Sequence, residues 1–416
     1  MIIERDIEPT LRKAASGFPV VLLTGPRQSG KSTIIRHVFA DYRSVSLEDV
    51  DTRQWAKEDP RGFLRENGDH LFIDEVQYAP ELFSYMQTIV DSKDEPGMFI
   101  LSGSQNFSMM KNVTQSLAGR VGILSLLPLS LRELARAADQ TKLAISNDTL
   151  NDVIFLGGYP RLFRSDIDPV LFYSSYFTTY LERDVRAENA IGDLVRFTNF
   201  MRVCAARVGE QVNWADLARV ADIDERTAKS WMNVLGACFI VRPLQPYCRN
   251  FDKRITKAPR LYFYDTGLAC NLLGIRAPVD LNLHTSYGHL FENLIVNEYL
   301  KGTLNFGLPP NCYYWRENDT YEVDLLVEDG PKLHGYEIKA SWTARDKFVR
   351  GLARFATVSE TSRDDLKVIY TGDTKTRING FEFLPFAMLD GKWVIPPDGC
   401  DQAVELVDAS VDGGPV

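Results

Sequence analysis

The chain has 416 residues, 45% of them hydrophobic and 25% charged, with a net charge of −9. That composition excludes a fibrous or disordered chain and a uniformly basic nucleic-acid coat, and the length exceeds the roughly 250–300 residues at which one core stops growing. No apolar run reaches the about 18 residues that span a bilayer, and the opening Met1-Ile-Ile-Glu-Arg-Asp6 has no signal-peptide pattern. A cytoplasmic protein without a membrane segment is expected. The cysteines at 204, 238, 248, 270, 312 and 400 form no CxxC pair, and the histidines show no metal-ligand spacing against them, so free thiols are expected.

Residues 1–19 carry helical spacing at Ile7, Leu11, Ala14 and Ala15 and are placed over the base of a nucleotide. The apolar strand Val20–Thr24 then runs into Gly25-Pro26-Arg27-Gln28-Ser29-Gly30-Lys31-Ser32-Thr33. This is the Gly-x4-Gly-Lys-Ser pattern. Its glycines let the backbone turn successive N–H groups toward phosphate oxygens, and the helix that follows offers its positive end. Lys31 reaches the β- and γ-phosphates and the Ser32 hydroxyl meets Mg²⁺.

One βα unit later, the apolar strand His70–Ile73 ends in Asp74-Glu75. Asp74 suits the Mg²⁺ shell and Glu75 suits the orientation or deprotonation of water. A further strand, Met98–Ser102, precedes Gly103-Ser104-Gln105-Asn106, where Ser104, and after it Asn106, is placed to sense the γ-phosphate. Ser116-Leu-Ala-Gly-Arg120 leads into the last core strand.

With these pieces together, the chain resembles an AAA+ ATPase. More closely, the wording Gly-Pro-Arg-Gln-x-Gly-Lys-Ser, Ile-Asp-Glu-Val-Gln, Leu-Ser-Gly-Ser-Gln and Leu-Ala-Gly-Arg resembles a prokaryotic family that joins one AAA+ module to a C-terminal domain of unknown function. The resemblance implies an α/β fold with a parallel sheet of order 5-1-4-3-2, ATP and Mg²⁺ as cofactors, and homo-oligomers. It also makes Arg120 a finger reaching a neighbouring subunit's phosphate, with a local salt bridge as the alternative. The ATPase core takes residues 1–128 and a helical lid 129–192, broken by Gly157-Gly-Tyr-Pro160.

Residues 193–260 read as three helices and a β-wing, the outline of a winged helix-turn-helix. The third helix mixes Arg226 and Lys229 with Asp222, Asp224 and Glu225, a poor groove reader. From Arg242 to Arg260, six cations including Arg249, Lys253, Arg254 and Lys257 stand against Asp252 alone, with Tyr247 and Phe251 between them. Such density suits a DNA backbone or, alternatively, an acidic face of the same protein.

In residues 261–395, helical Glu292, Asp324 on one strand and Glu337-x-Lys339 on the next resemble the PD-(D/E)xK nuclease site. Glu337 and Lys339 share a strand face. The resemblance implies a restriction-endonuclease-like domain with a second Mg²⁺ on three carboxylates, active or decayed. Residues 396–416 form an acidic tail. Three readings follow: a Mg²⁺-dependent ATPase that engages DNA, an ATP-gated regulatory switch whose C-terminal domain binds a partner, and an ATP-licensed nuclease.

Overall fold

The computed structural model describes residues 2–93, 95–103, 116–141, 143, 145–180, 193–248, 258–318 and 320–389. The first sheet contains β1 (Val20–Thr24), β2 (Arg43–Ser46), β3 (Leu71–Asp74), β4 (Phe99–Ser102) and β5 (Val121–Ser125). All are parallel, in the order β2-β3-β4-β1-β5. Read from the other edge, this is the expected 5-1-4-3-2. Because β1, β3 and β4 are buried throughout, their near-continuous apolar runs fit a sheet covered on both faces. Alternation sorts the layers: Val20 and Leu22 pack with Ile73, Leu82 and Met86. Val21 and Leu23 pack with Ile7, Leu11, Ile34 and Ile35.

After β5 the chain is helical over Leu131–Arg136, Leu150–Leu156, Pro160–Arg164 and Pro169–Tyr180. The first of these opens with a capping box, Ser130 with Glu133. Three more helices follow, Leu194–Ala206, Trp214–Val220 and Glu225–Ala237, each started by a side-chain cap from Asp193, Asn213 or Asp224. An antiparallel pair closes this region, β6 (Val241–Leu244) with β7 (Arg260–Phe263).

The second sheet comprises β8 (Cys312–Glu317), β9 (Tyr321–Asp329), β10 (Lys332–Lys339), β11 (Leu366–Tyr370), β12 (Thr376–Ile378) and β13 (Phe381–Pro385), ordered β12-β13-β11-β10-β9-β8. β8, β9 and β10 are antiparallel, whereas β10, β11 and β13 run parallel. On one face lies the helix Tyr287–Asn305, buried over most of its length. A single hydrophobic cluster runs from Leu129 and Tyr173 through Phe200 and Trp231 to Phe291 and Ile338, so the helical region and this sheet share a core. Among the described residues, no helix is long and apolar enough to cross a membrane.

The other face of the second sheet carries the helix Arg350–Ser359. A Cβ on Gly351 would fall 1.9 Å from the Glu322 carbonyl oxygen of β9. Backbone cannot yield as a flexible side chain does. Gly351→Ala is expected to cost about 2–3 kcal/mol, measured as a lower midpoint in denaturant unfolding of the full chain.

Candidate active site

The loop after β1 is shaped by two glycines. Gly25 has φ +141°, and a Cβ there would lie 2.1 Å from the Leu126 carbonyl oxygen; Gly30, at φ +98°, opens the helix Lys31–Val38. Both positions need glycine. Lys31 is buried, and its Nζ donates to the carbonyls of Gly25 (2.9 Å) and Pro26 (2.8 Å). Arg5 holds the loop from outside: its guanidinium donates to Ser29 O at 2.7 Å, Leu127 O at 2.6 Å and Glu133 Oε1 at 3.0 Å.

At the end of β3, Asp74 Oδ1 accepts hydrogen bonds from Ser32 Oγ at 2.8 Å and from Ser102 Oγ at the tip of β4. The helix after the loop and the ends of β3 and β4 thus converge on one carboxylate. Glu75 turns into the left-handed region, φ +55° and ψ +47°, which costs a non-glycine residue energy and is common where a side chain must be aimed. Gln77 Nε2 donates to Glu75 Oε2. The carboxylate lines a cavity of about 700 Å³ shared with Gln28, Lys31, Ser32 and Thr33.

The opposite wall comes from the helices after β5: Pro160, Arg161, Arg164, Tyr176 and Thr179. A recess of about 40 Å³ adjoins it, where Ile2 and Ile3 meet Thr33 and Arg164, which puts N-terminal apolar residues beside the loop. Sequence reasoning missed Arg5, Ser102, Arg161 and Arg164. Arg161 and Arg164 had a signal, two arginines three apart after the Gly-Gly-Tyr-Pro break and therefore on one helix face. Arg5 is a lone basic residue ahead of a helix and gave none.

Gly157-Gly158 seats this wall. Gly158 N donates to Asp265 Oδ2 at 2.8 Å, and Tyr173 Oη to Asp265 Oδ1 at 2.7 Å. A Cβ on Gly157 would strike Asp265 and Tyr173 at 2.4 and 2.5 Å. Asp265 also caps the helix Thr266–Leu272 through Leu268 N. Burial pushes its carboxyl above the usual range, opposed by those hydrogen bonds, and burial likewise raises the Tyr173 phenol.

These features agree with what the chain is similar to. Residues 17–135 match an AAA domain, residues 147–279 a domain of unknown function (DUF8612), and residues 287–389 a domain of unknown function (DUF4143). The uncharacterized protein Rv2008c of Mycobacterium tuberculosis (strain H37Rv) is 33% identical over 351 residues, covering 82% of this chain and 75% of that protein. The chain belongs to this family of AAA-type P-loop ATPases. The uncharacterized protein Mb2031c of Mycobacterium bovis matches with the same identity and coverage. Among solved structures, this ATPase is similar to the Walker-type ATPase PABY2304 of Pyrococcus abyssi, with TM-score 0.47 and 16% identity over 65% of this chain and 96% of that one. It is also similar to AMPPCP-bound DnaA from Aquifex aeolicus, with TM-score 0.31 and 12% identity over 55% and 85% of the two chains.

The other expected site residues of the ATPase fall in three places. Ser104 and Asn106 lie outside the described residues, as do Arg249, Lys253, Arg254 and Lys257. Arg120, on the turn before β5, forms an ion pair with Asp91 and donates to Ala118 O at 3.1 Å, the local arrangement that was the alternative to a finger. Of the six cations counted from Arg242 to Arg260, these two end residues turn inward: Arg242 donates to Cys312 Sγ at 3.2 Å, and Arg260 is buried.

Glu292, Asp324, Glu337 and Lys339 do come together, on the helix Tyr287–Asn305 and strands β9 and β10. Lys339 Nζ lies 3.1 Å from Asp324 Oδ2 and 2.7 Å from Glu337 Oε1. Arg260 lies between Glu292 (3.0 Å) and Asp324 (3.1 Å). Burial and the nearby Asp324 charge hold the Glu337 carboxyl well above its usual range, and Lys339 and Arg260 hold Asp324 below its own against burial. Among the described residues, no group of three His, Cys, Asp or Glu side chains is arranged to hold a metal ion.

Proposed function

We propose that the chain hydrolyses ATP in the cavity between the 25–33 loop and the Pro160–Thr179 wall, with Mg²⁺ held by Ser32 and Asp74. The carrying observation is that one 700 Å³ cavity is lined by the phosphate loop, Glu75 and the two arginines of the opposite wall. The hydroxyl and carboxylate at 2.8 Å form an oxygen donor set that suits Mg²⁺. Bound there, Mg²⁺ would neutralise charge on the β- and γ-oxygens.

In this reading Lys31 and the loop amides bind the phosphates and Glu75 orients the attacking water. Arg161 and Arg164 close on the γ-phosphate side, and the base lies toward Ile2 and Ile3. Ser104 senses the γ-phosphate, and Arg120 exchanges Asp91 for a neighbouring subunit's nucleotide in an oligomer. The free energy is used on DNA, engaged by the winged-helix-like region 193–260 with Arg249, Lys253, Arg254 and Lys257. The test is ATP turnover with and without linear, single-stranded and branched DNA.

Stimulation by one DNA form, lost when Arg249, Lys253 and Arg254 are together reversed to Glu, is the expected result. The second reading, an ATP-gated switch bound to a protein partner, is favoured by the inward turn of Arg242 and Arg260. Turnover unchanged by every DNA form, with no salt-sensitive DNA binding, would select it.

A further inference from the structure

We propose that Arg260 occupies the divalent-ion position between Glu292 and Asp324 of the C-terminal acid cluster, clamping β7 to the second sheet through those carboxylates and Glu322, while Lys339 takes the Asp324–Glu337 side. The cluster is then not a Mg²⁺-dependent cleavage centre. The inference is independent of the ATPase reading.

Both Asp324 carboxylate oxygens and Glu292 Oε1 are already taken by protein donors. Asp324 Oδ1 takes Arg260 Nη1 at 3.1 Å, while its Oδ2 takes Ile338 N at 2.9 Å and Lys339 Nζ at 3.1 Å. Glu292 Oε1 takes Arg260 Nη1 at 3.0 Å and the Tyr262 hydroxyl. Arg260 Nη2 reaches Glu322 Oε2 at 2.6 Å, and its guanidinium lies 5.1 Å from the Tyr314 ring centroid. Glu337 Oε2 is buried without a hydrogen-bond partner, the kind of atom a metal would meet. It cannot assemble a site alone.

A Mg²⁺ ion needs its oxygens at about 2.0–2.1 Å in octahedral array. Bridging Asp324 and Glu292 in that way requires the guanidinium to leave. Its own strand resists this: Arg260 pairs with Leu244 of β6 on one side and forms a bridge with Gln211 on the other. Leu261 N donates to Glu210 O at 3.0 Å and Val212 N to Pro259 O at 2.8 Å, so the backbone is fixed on both flanks. Charge points the same way. Arg260 and Lys339 together supply the two positive charges that one divalent ion would bring. The buried guanidinium, withdrawn from its carboxylates, would itself be left an unpaired buried charge, which is strongly unfavourable.

Segment 260–265 therefore joins a buried ion-pair cluster to a buried hydrogen-bond cluster. Its start is clamped in the acid cluster, and its end, Asp265, seats Gly158 beside the nucleotide cavity.

The experiment counts Mn²⁺ bound by the full chain, by electron paramagnetic resonance, with a non-hydrolysable ATP analogue present. Wild type is expected to hold one ion per chain, at the nucleotide site, and Glu337→Gln the same. A second ion in wild type that Glu337→Gln lacks would overturn the proposal. The clamp itself is read by thermal unfolding: Arg260→Gln is expected to lower Tm by about 5 °C or more, irrespective of Mn²⁺. An unchanged Tm would overturn it. Because the ion counts use only wild type and Glu337→Gln, failure of Arg260→Gln to fold leaves that arm decisive. Normal ATP turnover with a second, Glu337-dependent ion would sink this inference while leaving the ATPase reading intact.

Discussion

Glu75→Gln is expected to bind ATP as wild type does and to lose turnover by about 10²–10⁴-fold, the range for removing a positioned general base. The amide keeps the size of the carboxylate and its contact with Gln77, and the backbone at φ +55° is set by the turn after β3, so the geometry should survive. What disappears is the negative charge facing the cavity shared with Lys31 and Ser32. Stopped-flow binding of a fluorescent ATP analogue, together with phosphate release, separates the two effects. Wild-type phosphate release by this variant would remove Glu75 from the mechanism.

The second large effect is structural. Asp265→Ala is expected to destabilise the protein by about 3–5 kcal/mol, because three donors lose one buried acceptor group at once: Gly158 N, Tyr173 Oη and Leu268 N. Each hydrogen bond to a charged group contributes about 1.5–3 kcal/mol, and the two backbone donors stay buried without an acceptor, whereas Tyr173 Oη keeps the Leu156 carbonyl at 2.8 Å. The loss also frees the Gly157-Gly158 seat on which Pro160 and Arg161 depend, so the KM for ATP should rise more than kcat falls. Urea unfolding and steady-state turnover measure these separately. Wild-type stability in this variant would mean that the wall is held by its apolar packing alone.

Much of the ATPase core was legible in the sequence because its chemistry is local. A glycine loop, a strand ending in Asp74-Glu75 and buried β-runs all depend on neighbours within a few residues, and the sheet order implied by the resemblance is the one observed. The C-terminal grouping was legible for a similar reason: Glu337 and Lys339 are two apart on β10, and Asp324 sits on the adjoining strand.

Partners distant along the chain were not legible. Arg5 meets Ser29, Leu127 and Glu133 only after the sheet has formed, and Arg260 reaches Glu292 and Asp324 from a strand that the sequence presents as the end of a basic run. Net charge along a segment says nothing about which side chains face inward. Arg242 and Arg260 are the examples: each counts as a surface cation by composition, and each is spent on an interior contact.

In the proposed function ATP is held between the phosphate loop and the wall carrying Arg161 and Arg164. Amide hydrogen exchange on the full chain, with Glu75→Gln used to keep ATP intact, tests it most directly. Slower exchange is expected both at 25–33 and across 157–179 when ATP and Mg²⁺ are added. Protection confined to 25–33, with 157–179 exchanging as it does without nucleotide, would contradict it.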